Sequence, residues 1–263
     1  MKLTSPNKLV SVSIENGELI SYLKNGEELI HQKGSAGWRN SDTEMFPVIG
    51  PTSDKDYLVN TPKGNAVQDQ HGILRELTYN LKNSSSNTAV FQKKYSANTI
   101  VKNSKFPEKS SAENLHWPYN FNFEKSFELT NNSLKITFNI ECEKNMPFML
   151  GYHPAFKLSG DNSEVISTSN NNISLQNIID SGASAYPILN TSELTLVKEK
   201  GCNVNIKTSG YNNFMLWTEV PNMLCIEPIT AYPYVEGKML NKKLFNTAKE
   251  TNFFEVLITP INK

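Results

Sequence analysis

Apolar and polar residues alternate most clearly in the middle of the chain. Phe121-Asn122-Phe123-Glu124-Lys125-Ser126-Phe127-Glu128-Leu129 places large apolar side chains at every second position, apart from Lys125. After an Asn131-Asn132 turn, Leu134-Lys135-Ile136-Thr137-Phe138-Asn139-Ile140-Glu141-Cys142 alternates without a break. A period of two gives one buried face and one wet face, which predicts a pair of antiparallel strands. Residues 9–31 predict short strands joined by tight turns. There Asn16-Gly17 and Asn25-Gly26 separate the apolar segments Val10 to Ile14, Leu19 to Leu23 and Leu29-Ile30. Asn-Gly marks a hairpin because both turn residues must accept positive φ. His31, just beyond this meander, reads as a surface or edge residue.

Further strands are predicted at 202–206, 214–217, 223–226 and 253–258. Residues 159–195, rich in Asn and Ser, predict loops and short edge strands, and 231–246 predicts an irregular stretch. Helical periodicity is nearly absent. Many short strands punctuated by Gly, Pro and Asn predict an all-β fold, a large antiparallel β-sandwich or barrel, in one domain over 1–263.

Composition narrows the function classes. The 263 residues are 38% hydrophobic, enough for a sizeable core. The 26 basic and 26 acidic residues cancel, and no basic block occurs. That argues against nucleic acid and anionic membrane as partners. Cys142, Cys202 and Cys225 are an odd number without a C-x-x-C pair, so reduced thiols are expected. The segment 1–8 has no apolar leader, and no run is long enough to span a bilayer. A cytoplasmic location is the expectation.

Two stretches carry candidate chemistry. Met146-Pro147-Phe148-Met149-Leu150-Gly151-Tyr152-His153-Pro154-Ala155-Phe156 sets one histidine in an apolar, aromatic run. Gly151 and Pro154 exclude a stable helix, leaving a buried strand end that turns at His153. A core histidine with a satisfied hydrogen bond is the alternative. Met223-Leu224-Cys225-Ile226-Glu227-Pro228-Ile229 repeats the design, an apolar strand ending in one ionisable residue before proline. Desolvation there should raise the Glu227 pKa and strengthen it as a base. Its alternative is a carboxylate paired with lysine at a sheet edge. Together, imidazole and carboxylate make a plausible acid–base pair.

Of the 26 basic residues only Arg39 and Arg75 are arginines. A guanidinium fork grips paired oxygens as an ammonium cannot. Arg39 lies in the irregular loop 37–51, and Arg75 follows His71-Gly72, where glycine permits close backbone approach.

Gly-Tyr-His-Pro-Ala-Phe at 151–156, His-Gly-x-x-Arg at 71–75, Trp-Arg…Phe-Pro-Val-Ile-Gly at 38–50 and Ile-Glu-Pro at 226–228 together resemble the aldose 1-epimerase (galactose mutarotase-like) family, in its LacX-like branch. The resemblance covers essentially the whole chain. It implies a large antiparallel β-sandwich with an open sugar cleft, and an isomerase that interconverts anomers. It implies His153 as general acid and Glu227 as general base, with His71, Arg39 and Arg75 on the sugar. Trp217 or Tyr152 would stack on the apolar face of the ring, though Trp217 serves equally as core. Many relatives carry an aromatic residue where this chain has Ile229, which would change one wall of the site. Asp180 is the candidate for the aspartate that mutarotases set on sugar hydroxyls.

Ring opening by proton transfer needs neither metal nor redox cofactor. It does require Glu227 ionised and His153 protonated together, a state their attraction favours. The competing expectations are a non-catalytic carbohydrate-binding protein, a hexose-6-phosphate 1-epimerase, and a metal site of His71, His153 and Glu227. The last lacks any H-x-H or H-x-D spacing.

Overall fold

The computed structural model describes residues 1–235, 237 and 240–263. The irregular stretch expected at 231–246 includes Glu236, Lys238 and Met239, which lie outside the described residues. A nine-stranded and a six-stranded antiparallel sheet share one apolar core, the all-β sandwich expected. Phe121–Leu129 and Leu134–Cys142 form adjacent strands of the larger sheet, in register from Phe121↔Cys142 to Leu129↔Leu134. Phe123, Phe127, Ile136 and Phe138 point inward and are essentially inaccessible. Full burial of such side chains contributes roughly 1.5–3 kcal/mol each.

Lys125 keeps the strand's parity rather than breaking it, because its side chain enters the buried face and is 0% exposed. On the neighbouring strand Thr88–Tyr95, Lys93 does the same between Phe91 and Tyr95. Both lysines reach carboxylates of the loop 37–51. Lys125 Nζ lies 2.8 Å from Asp42 Oδ2 and 2.7 Å from Glu44 Oε1, and Lys93 Nζ lies 4.0 Å from Glu44 Oε2.

Both Asn-Gly turns have φ positive at each residue and join the hairpins Val10–Glu15/Glu18–Lys24 and Glu18–Lys24/Glu27–Glu28. His31 departs from expectation. It is buried because its N–H donates to Ala155 O at 2.9 Å, while its Nε2 lies 2.8 Å from Trp38 O. The 159–195 region also holds more structure than its composition suggested. Glu193–Val197 pairs on both sides inside the larger sheet, and Leu175–Asp180 is a one-turn helix opened by a Ser174/Asn177 capping box. Short elements built from Asn and Ser leave too little periodicity to read.

The six-stranded sheet carries the candidate chemistry. Met223–Ile229 pairs with Asn213–Trp217 on one side, and with Gly151–Tyr152 and Ala155–Lys157 on the other. The strand does not stop at Glu227 as the Pro228 signal suggested. It continues through Pro228, opposite Phe214, and every residue from 223 to 229 is buried. Proline is tolerated where its missing N–H is not part of the ladder.

Gly72 shows how tightly the loops seat. At φ +71°, an added Cβ would lie 2.2 Å from Phe46 O. Gly72→Ala is therefore expected to cost roughly 1–3 kcal/mol through backbone strain alone. A fall of at least several degrees in the melting temperature checks this, and an unchanged melt contradicts the close approach.

Candidate active site

His153 and Glu227 meet at the wall of a cavity of about 1220 Å³. His153 Nε2 lies 3.3 Å from Glu227 Oε1, with the two residues 6% and 2% exposed. Backbone pairing holds the histidine in place. His153 N–H donates to Thr43 O at 2.8 Å, and Thr43 N–H returns a bond to His153 O at 3.3 Å. Glu227 is set by its register with Met215, and its strand also pairs with Gly151 and Ala155 on either side of His153. The Trp38 ring packs over the imidazole at 4.5 Å between centroids, and Trp217 and His71 stand edge-on at 6.3 and 5.7 Å.

Burial decides the protonation of the pair. It pushes the Glu227 carboxyl well above the usual carboxylate range, the direction its sequence implied. Burial, with some help from the Arg75 charge, pulls the His153 imidazole down to about 3. The mutual attraction expected to favour an ion pair is outweighed by desolvation of both charges. Both shifts favour the uncharged form of each group, and His153 Nε2 faces Glu227 Oε1. His153 Nδ1 is buried and has no hydrogen-bond partner among the described residues.

Arg75 Nη1 donates to His71 Nδ1 at 2.5 Å. His71 must then carry its own hydrogen on Nε2, as a donor. Desolvation, followed by the charge of Arg75, holds His71 well below the usual imidazole range, so it stays neutral. Arg75 also lies 3.2 Å from Glu76 and 3.7 Å from Asp69, which fixes its fork. Arg39 lines the cavity, is exposed, and makes no hydrogen bond or ion pair among the described residues. Trp217 both lines the cavity and packs against Ala155, Met223 and Cys225, so it serves as wall and as core.

Three sequence expectations are corrected. Tyr152 does not reach the cavity. Strand alternation turns it to the core face opposite His153, where it is 0% exposed and its hydroxyl donates to Asp42 Oδ2 at 2.7 Å. Asp180 sits exposed at the end of the short helix, off the cavity wall, and accepts from Gln176 at 2.7 Å. Ile229 is buried behind the site with Met45, Ile49 and Met215, so it is not itself a wall. The residues missed were Trp38, Asp42, Glu44, Met45, Lys93 and Met215, all on the cavity wall. Lysines at apolar parity on two adjacent strands were the available signal for the two acids. Among the described residues, no group of three or more His, Cys, Asp or Glu side chains is placed to hold a metal ion.

A family profile described as Aldose 1-epimerase matches residues 2–213. The chromosomal LacX protein of Lactococcus lactis subsp. lactis is 25% identical over 166 residues, covering 59% of this chain and 50% of that protein. The chain thus spans about half the length of the curated relatives it matches. A galactose mutarotase-like protein from Lactobacillus casei ATCC 334 superposes with a TM-score of 0.79 at 15% identity, covering 99% of this chain and 100% of that one. A galactose mutarotase related enzyme from Lactobacillus acidophilus gives 0.73 at 19%, covering 100% and 98%. At these identities the structural likeness establishes the fold.

A carboxyl kept protonated in the folded chain has a measurable signature. Above pH 4.5 the unfolded chain releases the Glu227 proton while the folded chain keeps it. The Glu227 contribution to stability then falls as pH rises toward its raised folded value, by up to about 1.4 kcal/mol per pH unit. Glu227→Gln removes this loss, and its amide can still donate to His153. Thermal melts should show the variant gaining on wild type as pH rises from 5 to 8. A variant less stable than wild type at pH 8 would mean that Glu227 is ionised in the fold.

Proposed function

The chain belongs to the aldose 1-epimerase family, and from that premise we propose that it interconverts the α and β anomers of a hexose or related sugar by acid–base ring opening. The observation that carries this reading is the 3.3 Å contact between His153 Nε2 and Glu227 Oε1 on the cavity wall. The ring oxygen and the anomeric hydroxyl oxygen are both bonded to C1. Two proton-transfer groups in contact can therefore serve both oxygens of one sugar.

Sugar hydroxyls entering the cavity donate to the Glu227 carboxylate and stabilise its charge, so the shared proton moves to His153. Glu227 then takes the proton of the anomeric hydroxyl while His153 protonates the ring oxygen. The C1–O5 bond breaks and C1 becomes an aldehyde. At that moment the pair is back in its neutral form, with the proton on Glu227. Rotation about C1–C2 and closure on the other face reverse both transfers. A positioned acid and base each contribute roughly 10²–10⁴-fold.

The cavity walls suit such a substrate. Met45, Met215 and Trp217 offer an apolar side to the ring face, while His71 Nε2–H, Arg75 and Arg39 offer donors to hydroxyls. A second reading, a hexose 6-phosphate substrate, draws on Arg39, whose fork lines the cavity without a partner among the described residues. If it holds, a hexose 6-phosphate should exchange anomers faster than the free hexose, and Arg39→Ala should abolish that preference.

Polarimetry of freshly dissolved α-D-glucose or α-D-galactose tests the main reading. Glu227→Gln should lose roughly 10²–10⁴-fold of the catalysed rate, and a variant as fast as wild type would remove Glu227 from the base role. Calorimetric sugar binding beside a flat polarimeter trace would select a non-catalytic carbohydrate-binding protein instead. The pH profile is a separate check, since activity needs one proton on the pair. The rate should fall in acid only as His153 gains a second proton near its lowered value of about 3. It should fall in alkali as the last proton leaves at the raised value of Glu227. An acid limb centred at the ordinary imidazole value of 6.5 would contradict the buried neutral pair.

A further inference from the structure

We propose that Lys125 is a positioning residue for the His153–Glu227 pair, acting through Asp42 and Glu44 to fix the segment that holds the histidine. The proposal rests on the acid–base reading given above. Lys125 occupies an inward position on the strand Phe121–Leu129, where period 2 calls for an apolar side chain. Desolvating an ammonium there costs several kcal/mol, and apolar replacements of buried ion clusters are often neutral or stabilising. Core packing alone therefore gives no reason for a lysine at this position.

The geometry supplies one. Both carboxylates that meet Lys125 belong to the short segment 41–45. Between them, Thr43 exchanges two backbone hydrogen bonds with His153, and Ser41 O accepts from Ala155 N–H at 2.8 Å. Glu44 is the register partner of Tyr152, whose hydroxyl closes a ring of contacts on Asp42 Oδ2. The Lys125 ammonium also lies 5.0 Å from the centre of the Tyr152 ring. The two carboxylates that flank Thr43 are thus both held by the Lys125 ammonium, with Lys93 reaching Glu44 from the neighbouring strand at 4.0 Å. Glu227 takes its position from its register with Met215 and from the strand Ala155–Lys157, which meets the segment 41–45 through the Ala155 bond to Ser41 O. The separation of acid and base therefore depends on where Lys125 holds residues 41–45.

The test uses the full chain with labelled histidines, and His153 is assigned by loss of its signal in His153→Gln. Tyr152→Phe removes one bond to Asp42 and keeps the ring, Lys125→Met removes the charge, and Lys198→Met breaks a different half-buried ion pair, with Glu27, off the cavity wall. In Tyr152→Phe and Lys125→Met the His153 ring-nitrogen shifts should move while those of His116 stay. In both variants kcat for anomer exchange should fall about 10- to 100-fold while sugar affinity changes less than about two-fold. Lys198→Met should match wild type in both readouts. If Lys125→Met does not fold, Tyr152→Phe decides alone. Wild-type shifts and kcat in folded Tyr152→Phe and Lys125→Met would overturn the proposal. A wild-type protein inactive on every sugar would sink the mutarotase reading alone, and the His153 shifts would then decide the positioning role.

Discussion

A carboxyl and an imidazole pressed together out of water can share one proton far more easily than they can each carry a charge. That constraint organises the site. Glu227 lies within a strand whose seven residues are all buried, and His153 lies under the Trp38 ring. Burial raises the carboxyl and lowers the imidazole, so each group favours its uncharged form. The arrangement costs folding stability, as functional sites commonly do. It sets His153 Nε2 and Glu227 Oε1 3.3 Å apart on the cavity wall.

The scaffold keeps this pair in contact by pairing the Glu227 strand with the residues on both sides of His153 and by bracing each from its other side. One half is the strand Met223–Ile229, whose Glu227 is set by the Asn213–Trp217 ladder. The other half is the segment 41–45, which exchanges backbone bonds with 153 and 155 and is tied to the opposite sheet by Lys125. The loop 68–76 closes a further side of the cavity. Its approach requires Gly72 against the Phe46 carbonyl, and it delivers His71 with the tautomer that Arg75 imposes. A strand carries Glu227, a short link between two strands carries His153, and His71, Arg75 and Arg39 come from the segments 68–76 and 37–51. Arg39 stands apart from this rigidity, exposed on the cavity wall and without a hydrogen bond or ion pair among the described residues.

The strands Phe121–Leu129 and Leu134–Cys142 and both Asn-Gly hairpins were legible because period 2 and turn chemistry are local properties of the chain. The apolar runs around His153 and Glu227 were legible for a similar reason, since a lone ionisable residue in such a run must be buried with a partner or by design. Local pattern failed where the decisive neighbour was distant. Parity made Tyr152 a core residue once His153 took the cavity side, but which of the two faced the cavity depended on the partner strands. Proline after Glu227 looked like a stop, yet pairing with Phe214 carried the strand through it. Lys125 and Lys93 looked like exceptions to their strands, and only the loop bearing Asp42 and Glu44 explains them.

The sequence by itself determined an antiparallel β-fold, the strands that build its centre, and the identity of the imidazole, carboxylate and guanidinium groups available for chemistry. Each of these follows from side-chain period or residue type within a few positions. Tertiary structure decided which of those groups share a cavity, and whether the acid–base pair rests charged or neutral. Those outcomes turn on how completely segments far apart in the chain exclude water from one spot, and solvent exclusion is a property of the packed whole.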